Sequence, residues 1–565
     1  MNSKIKNLLA ILFIVLFSST LYVLTLRGQY GNPNPETMRE ELAKDFKSME
    51  LSPERGRFAH VISLAENGTY ELSSALVDFV YPDVGFIKDK YYSYFAPGIS
   101  HIAVPFYNFG KQFNLAQVFS FALISLFSIG AMIFIYLIAR QIFELPVWAS
   151  ILAPIFYAFS SSAWSYAITF YQHHLTVFFF VAGFYSAWQF GRNKKWSWVW
   201  GFIPWISYAS AFTVDYPNPL FLLPMMIYFF WQAWNVRLTD DVWRISFRTS
   251  FIFVSIGFFV ITAWHLNLNA THFGGWQKLA GGLTSYKKLE VRPILDTSIT
   301  ATTTTFYTTT TVATAEAPEP GITTVNTATS TTITTISIAT TTSNTTTFVI
   351  ATEIRVIGLK KEKPKDIVGF FVERRLPYSG YILFASPERG LLIFWPLCII
   401  GFIGLYSAFK HKPVEVSTLF GGVFINMFLY FSWGDPWGGW AFGPRYMILS
   451  ISILSIFVAY WVAKGELWKR IVVFELFLYS SFISLAGALT TNAVPPKVEA
   501  IPLGAEYTYF RNIDFLFEGK SGSFFYNSYA IQNMSLLEYA FLIYICLVLV
   551  VALLIFVFPK FKNDN

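Results

Sequence analysis

Apolar runs of near-spanning length alternate with shorter polar segments along most of this chain. The runs lie at about residues 8–26, 115–139, 146–164, 171–190, 196–214, 217–236, 248–267, 390–409, 414–432, 446–463, 470–489 and 538–558. A helix needs about 20 mostly apolar residues to cross the hydrocarbon core of a membrane. The pattern therefore predicts an all-α polytopic membrane protein with about twelve transmembrane helices, the first of them retained and not cleaved as a signal peptide.

Composition agrees with this class. Charged residues make up 13% of the 565 residues, whereas a soluble domain has about 25%. The net charge of +7 is typical of cytoplasmic loops in a membrane protein, so we expect membrane lipids and no nucleic acid as partners. Cys398 and Cys546 both lie inside apolar runs, which excludes a disulfide framework.

The basic residues predict the orientation of the chain. Every second connector is rich in Lys or Arg, and all of these connectors fall on the side of the N-terminus. Cytoplasmic loops carry such an excess, so both termini are expected in the cytoplasm. The expected segments are a first helix (1–26), an outer loop (27–114), six spans (115–267), an outer segment (268–389), four spans (390–489) with an outer motif at 432–445, an outer loop (490–537), and a last helix with a cytoplasmic tail (538–565).

Residues 297–352 in the second outer segment are close to half threonine. We expect a disordered or weakly β-forming insert, since such a composition cannot bury a core. An O-glycosylated stalk is the alternative, and the interspersed Ile, Val and Phe also suit β-strands. No catalytic role is assigned to this insert.

Ionisable residues at the outer edge of a membrane are costly and therefore candidates for function. The first cluster lies at 77–107, where Asp78 and Asp83 stand among aromatic residues. Two carboxylates in such a place suit general-base chemistry on a hydroxyl. The choice between these two stays open, and Asp89 is expected to be an ordinary solvated acid paired with a nearby lysine.

Two further clusters lie at the outer starts of spans. His173, in "YQHH", suits phosphate binding or proton transfer, although a packed structural histidine is the alternative. Asp215, in "FTVDYPNP", either lines the same cavity as the first cluster or only caps the next helix.

The fourth cluster combines "SPERG" at 386–390 with "SWGDPWGGWAFGPRY" at 432–446. Arg389 and Arg445 each stand where a span begins, and a guanidinium there can grip a phosphate through two parallel hydrogen bonds. Snorkelling to lipid headgroups is the alternative. Asp435 is expected either to orient Arg445 or to cap a helix, and the neighbouring tryptophans form an interfacial belt or a platform for a ring.

Together these motifs resemble the polytopic GT-C glycosyltransferases, in particular those related to the protein mannosyltransferase and aminoarabinose transferase group. The likeness lies in five stretches that occur in the family's order: "DKYYSYFAPGISHIAVPFY" in the first outer loop, Tyr166 to His173, "DYP" at 215–217, "SPERGLL" at 386–392 and "WGGWAFGPRY" at 437–446. It covers most of the chain except the Thr-rich insert.

The resemblance implies transfer of a sugar from a polyprenyl- or dolichyl-phosphate carrier to a protein, lipid or glycan acceptor on the extracytoplasmic face. It implies that Asp83 or Asp78 is the base and that Arg445 with Arg389 binds the carrier phosphate. It also implies that His173 and Asp215 line the site. Lys90 and Tyr92, from the first stretch, are expected to bind substrate.

Members of the family often carry an acid soon after the first span. Here the acids of that region, including Glu54, alternate with bases and are expected on a solvated helix. No cofactor is expected, and a divalent metal is left open.

A transporter or flippase for a lipid-linked glycan is the alternative function, because it also needs many spans and few buried charges. Transporters hold their charges near the bilayer midplane, whereas the charges here gather at one face. A scaffold for the Thr-rich segment leaves the Asp and Arg clusters unexplained.

Overall fold

The computed structural model describes residues 3–34, 49–193, 195–239, 242–285, 331–342, 345–356, 375–495 and 508–559. The structure is mostly helical, with a helix content of 73%. In the first half they are α1 (Ser3–Thr25), α2 (Ser52–Asn67), α3 (Ser74–Val80), α4 (Gly98–Lys111), α5 (Ala116–Leu137), α6 (Val147–Phe159), α7 (Ala163–Ala167), α8 (His173–Arg192), α9 (Ser197–Val214), α10 (Asn218–Ala233), α11 (Ser250–Phe253) and α12 (Ile256–Phe273). In the second half they are α13 (Leu376–Phe384), α14 (Leu391–Phe394), α15 (Leu397–Phe409), α16 (Pro413–Phe431), α17 (Ile448–Ala463), α18 (Leu467–Leu489), α19 (Phe510–Phe517) and α20 (Leu536–Ala552).

Within the described residues, seven stretches of helix are long and apolar enough to span a membrane. They are Lys4–Thr25, Ala116–Ile142, Ser250–Phe273, Pro413–Phe431, Arg445–Ala463, Leu467–Leu489 and Leu536–Val557. Two shorter apolar helices, Val147–Phe159 and Leu397–Phe409, accompany them. A multi-pass membrane protein is therefore confirmed, whereas the count of twelve spans stays a prediction.

In the described part of the chain, three antiparallel sheets stand beside the helices, which the predicted all-α class does not include. Strands β1 (Val84–Ile87) and β2 (Lys90–Ser93) form a hairpin in the first outer loop, and β5 (Thr284–Ser285) pairs with the other edge of β1. Strands β3 (Trp234–Thr239) and β4 (Val242–Phe247) form a second hairpin. The β1–β2 turn is made by Lys88 and Asp89, both with positive φ, which a short antiparallel hairpin turn requires.

The Thr-rich insert contributes the third sheet. Strands β6 (Thr331–Thr342) and β7 (Thr345–Val356) pair in register from Thr331 opposite Val356 to Thr342 opposite Thr345. Of the alternatives drawn from the sequence, the β-strand one applies to this part, because threonine, isoleucine and valine are branched at Cβ and favour extended backbone. Residues 297–330, the remainder of the insert before these strands, lie outside the described residues.

The first outer loop packs onto the helix bundle. The prediction of a solvated helix around Glu54 is wrong, since the side chains of Glu54, Arg57 and His60 on α2 are all buried. Helix α2 packs against α3 and α4, and α4 packs in turn on α5. Alternating charges indicate solvation only when no tertiary surface covers them, and here the bundle covers them.

A buried ion pair joins this loop to the end of α1. Arg27 Nη1 lies 3.0 Å from Glu50 Oε2, and the two side chains are 1% and 4% exposed. Arg27 Nη2 donates to the carbonyl of Gly487 at 2.8 Å. Glu50 also accepts from Thr491 Oγ1 at 2.5 Å and from Asn492 N at 2.6 Å. The pair therefore connects the first helix, the first loop and the end of α18.

Glu50→Ala is expected to lower the thermal stability of the protein strongly. It leaves the Arg27 guanidinium buried without its counter-charge, which typically costs about 3–5 kcal/mol. The measurement is thermal unfolding of the detergent-purified protein. Glu518→Ala is the matched control, because Glu518 pairs with Lys520 with both side chains about half exposed. Equal stability of both variants would contradict this role for the pair.

Candidate functional site

A cavity of about 450 Å³, called the outer cavity below, lies where residues 51–95 meet one end of the helix bundle. Its wall comes from the start of α2, the loop before β1, the starts of α8 and α10, and the 430–446 segment. Four of the predicted site residues line it: Asp83, His173, Asp215 and Arg445. The structure therefore brings together residues from four separate stretches of the sequence.

Arg445 lies at the start of the span that contains α17 and is 7% exposed. Its Nη2 donates to the carbonyl of Gly438 at 2.7 Å, and its guanidinium lies against the rings of Tyr446 and Tyr171. The Nε and Nη1 atoms are buried and have no hydrogen-bond partner among the described residues. Buried donors of a charged group are normally filled, so these two atoms are available to an anionic ligand.

The turn that holds Arg445 depends on glycine. Gly438 has φ of 65°, and a Cβ atom there would lie 2.8 Å from Tyr446 Oη and 3.0 Å from Arg445 Nη2. Asp435 shapes the same turn, because its carboxylate accepts from Gly438 N at 3.2 Å and from Gly439 N at 3.1 Å. Asp435 therefore orients Arg445 indirectly, through the carbonyl of Gly438.

Asp83 occupies the end of the loop before β1 and is half-buried. Ser52 Oγ donates to its Oδ2 at 2.5 Å, which fixes one carboxylate oxygen. Tyr94 N donates to the backbone carbonyl of Asp83 at 3.3 Å. The hairpin and the start of α2 therefore hold this carboxylate at the cavity wall.

Arg57 is a cavity residue that the sequence reasoning missed. Its side chain is 2% exposed, its guanidinium lies 4.6 Å from the centre of the Phe95 ring, and its Nε is buried without a hydrogen-bond partner. Burial lowers the pKa of Arg57, and the nearby Asp215 acts in the opposite direction. The cavity thus has two guanidinium groups with unfilled donors.

Asp215 follows α9 and faces the cavity. Gln172 Nε2 donates to its Oδ2 at 3.0 Å. Burial raises the pKa of Asp215, while Arg57 and the hydrogen bond from Gln172 lower it. The Asp215 side chain does not cap the following helix, because no side-chain cap hydrogen bond is made at the N-terminus of α10.

Aromatic rings form much of the remaining wall. His173 packs edge-on against Tyr166 and parallel to Tyr171, with ring centres 5.7 Å and 6.1 Å apart. Tyr430 stacks on Tyr446 at 4.3 Å. Of the tryptophans in the outer motif, Trp433 and Trp440 line the cavity, whereas the indole N–H of Trp437 donates to Glu388.

Arg389 lies just outside the cavity lining and is 1% exposed. Its Nη2 donates to the carbonyl of Val494 at 2.8 Å and to that of Gly439 at 3.3 Å, and its Nη1 donates to that of Glu388 at 3.0 Å. Burial lowers its pKa to about 10. Because these donors bind backbone carbonyls, one of them in the glycine turn, Arg389 stabilises that turn.

The other predicted residues lie away from the cavity lining. Asp78 is on α3. Lys90 forms a largely exposed ion pair with Glu71. Tyr92 is buried in a separate aromatic cluster with Tyr70 and Phe273, and burial raises its pKa to about 12.

Glu54 is a buried acid outside the cavity lining, next in the chain to Pro53, which belongs to the lining. Its Oε1 accepts from Phe170 N at 3.0 Å and its Oε2 from Glu50 N at 3.2 Å. The sequence contains a signal for the importance of this region, because "SPERG" occurs twice, at 52–56 and at 386–390. In both copies the glutamate, Glu54 or Glu388, is at most 4% exposed. The first copy also leads directly to Arg57.

Among the residues that the structure describes, no group of three or more His, Cys, Asp and Glu side chains is arranged to hold a metal ion.

No protein-family model matches the chain, and no curated protein sequence matches it significantly. Solved structures do align with most of it. ArnT from Cupriavidus metallidurans bound to undecaprenyl phosphate aligns over 96% of this chain and 76% of its own, with 11% identity and a TM-score of 0.43. The archaeal oligosaccharyltransferase AglB from Archaeoglobus fulgidus, in complex with an inhibitory peptide and a dolichol-phosphate, aligns over 91% of this chain and 56% of its own, with 11% identity and a TM-score of 0.39.

Identities of 11% and TM-scores of 0.43 and 0.39 describe a coarse likeness, so no residue of either neighbour is matched to one here. The assignment of roles therefore depends on the cavity itself.

The stability of the protein is expected to fall as the pH rises towards 8. Burial raises the pKa of Glu54 from 4.5 to about 8. Between these values the folded state holds a proton that the unfolded state has lost, so the free energy of unfolding decreases as the pH rises. Glu54→Gln stays uncharged and should flatten this decrease in thermal unfolding measured across the same window. Glu518→Gln is the control, and parallel curves for Glu54→Gln and the unmodified protein would contradict the prediction.

Proposed function

We propose that this chain is an integral-membrane glycosyltransferase that uses a polyprenyl- or dolichyl-phosphate sugar as donor. The acceptor is a protein, lipid or glycan hydroxyl on the extracytoplasmic face. One observation carries the proposal: a single cavity at the outer helix ends contains the Asp83 carboxylate together with the Arg445 and Arg57 guanidinium groups.

In this mechanism Asp83 is the general base. The acceptor hydroxyl gives its proton to Asp83 while its oxygen attacks the anomeric carbon of the donor sugar. The bond between that carbon and the phosphate oxygen breaks, and the carrier phosphate leaves with the bonding electron pair. The hydrogen bond from Ser52 to one oxygen of Asp83 leaves the other oxygen for the acceptor.

The leaving phosphate is bound by Arg445 and Arg57. Both guanidinium groups are buried, and three of their nitrogen atoms, Arg445 Nε and Nη1 and Arg57 Nε, have no hydrogen-bond partner among the described residues. Fixed donors aimed at a developing negative charge are worth more where water is excluded. They require no reorganisation as the bond breaks. Arg389 contributes by supporting the turn that aims Arg445.

The remaining wall binds the sugar. Asp215 and Gln172 offer a carboxylate and an amide to sugar hydroxyls, and His173 lines the same cavity. Trp433 and Trp440, which also line it, offer flat apolar faces. Aromatic faces with a few fixed polar groups are typical of small-molecule sites.

The main test uses the full chain purified into lipid. It is offered a set of radiolabelled polyprenyl-phosphate sugars, and release of the free carrier phosphate is measured. Asp83→Asn is expected to reduce turnover by about 100-fold or more, as loss of a general base does, while carrier binding is kept. Asp89→Asn is the matched control, because Asp89 is in the adjacent hairpin turn and exposed.

Other outcomes assign the function differently. Loss of turnover in Asp78→Asn with retention in Asp83→Asn would make Asp78 the base. No turnover with any donor, together with movement of a lipid-linked glycan across the membrane, would replace the enzyme with a transporter.

The close approach of Gly438 gives a second prediction. Gly438→Ala is expected to displace Arg445 and raise the KM for the donor by about tenfold, the loss of one charge-assisted contact. Gly439→Ala is the control, because Gly439 has φ of 66° but no atom within 4 Å of the added Cβ. Both variants carry the same left-handed backbone cost of about 1 kcal/mol, so equal KM values in the transfer assay would contradict the role of the turn.

A further inference from the structure

A second cavity, of about 700 Å³, lies at the opposite end of the helix bundle. It is lined by residues from the start of α1, the end of the span that contains α5, the start of α6 and the end of the last span, among them Lys6, Arg140, Trp148 and Leu554. Lys6 is near one end of α1, and Arg27, which pairs with Glu50 beside the outer cavity, follows the other end. The two cavities are therefore separated by the length of a membrane-spanning helix.

The polar side of this cavity is positively charged. Arg140 Nε donates to Asn7 Oδ1 at 3.2 Å and its Nη1 donates to the carbonyl of Leu145 at 2.9 Å. Its Nη2 makes no hydrogen bond among the described residues. Lys6 is exposed beside it. The acid in the lining, Glu144, is already paired with Lys412 at 3.1 Å. An excess of positive charge therefore remains.

Arg470 adds a third cation near the cavity. Its guanidinium carbon lies 5.5 Å from the centre of the Trp148 ring, and Trp148 is itself part of the lining. Its Nε is buried and has no hydrogen-bond partner among the described residues.

The other side of the cavity is apolar. Phe13, Ile151 and Val550 line it, and Leu553 and Phe558 are about half exposed at its edge. A small inorganic anion would leave this side unfilled. A ligand that matches both sides has a negative head and a hydrocarbon chain, as in lipid recognition by basic pockets between transmembrane helices.

Two helices change their winding at this cavity. The π-helical turn Ile138–Ile142 contains Arg140, and the π-helical turn Leu553–Val557 contains Leu553 and Leu554. Single π-helical turns inside longer helices occur frequently at functional sites. Both turns present lining residues to the same cavity.

We propose that this cavity binds one anionic glycerophospholipid of the membrane. The phosphate contacts Lys6 and the free Nη2 of Arg140, and one acyl chain lies against the last span. The site is independent of the proposed transferase activity, because it shares no residue with the outer cavity.

The test is lipid binding by the full chain in detergent, followed by native mass spectrometry. Palmitoyl-oleoyl phosphatidylglycerol is expected to bind one molecule per chain at least about tenfold more tightly than the phosphatidylcholine of the same chains. Lys6→Gln is expected to weaken phosphatidylglycerol binding by about tenfold. Lys6 is exposed on α1, so this variant should fold. Inorganic phosphate at millimolar concentration is expected not to compete.

Lys410→Gln is the matched control, because it removes one exposed positive charge that lies outside this cavity lining, after α15. Its phosphatidylglycerol binding should equal that of the unmodified chain. Equal binding of the two lipids, or equal weakening by Lys6→Gln and Lys410→Gln, would overturn the proposal, since both results describe general attraction to lipid headgroups. Competition by inorganic phosphate would overturn the lipid assignment and leave a simple anion site.

Discussion

The ion pair between Arg27 and Glu50 joins the end of α1, the first outer loop and the end of α18 next to the outer cavity. Charges removed from water need a counter-charge and further hydrogen bonds. Here Gly487, Thr491 and Asn492 supply such hydrogen bonds to the pair, while Arg27 Nε has no partner among the described residues, and Thr491 stands 441 positions from Glu50 in the chain. Glu50 immediately precedes the start of α2, which carries part of the cavity wall. The wall built by the first loop therefore depends on the C-terminal half being in place.

The apolar runs of the sequence predict the cavity better than any single motif does. His173, Asp215 and Arg445 stand at the ends of α8, α9 and the span that contains α17, and helices packed side by side in one bundle bring such ends together. Asp83 comes from the loop before β1. The predicted topology puts all four residues on one side of the membrane, which is why they could be predicted together. The sheet of β1, β2 and β5 was not predicted because its strands are only two to four residues long.

The predictions that were wrong or incomplete concern residues whose surroundings are determined by tertiary contacts. Glu54 and Arg57 stand in a sequence of alternating charges, and their burial depends on the backbone N–H of Phe170 and on the ring of Phe95. Arg389 and Arg445 look alike in sequence, since each begins an apolar run. They differ because the carbonyls of Val494 and Gly439 occupy the donors of Arg389, whereas Arg445 keeps two donors unfilled.

The short pairing of β5 with β1 has a consequence for the long outer segment that holds the threonines. At the start of the segment, Ser285 pairs with Gly85 two residues beyond Asp83. At its end, Arg375 donates a hydrogen bond to the carbonyl of Gly434, between Trp433 and Asp435. Both attachment points are thus at the rim of the outer cavity. The chain itself therefore fixes both ends of this long segment beside the cavity, so a change in the segment's length or composition acts on two points of the same rim.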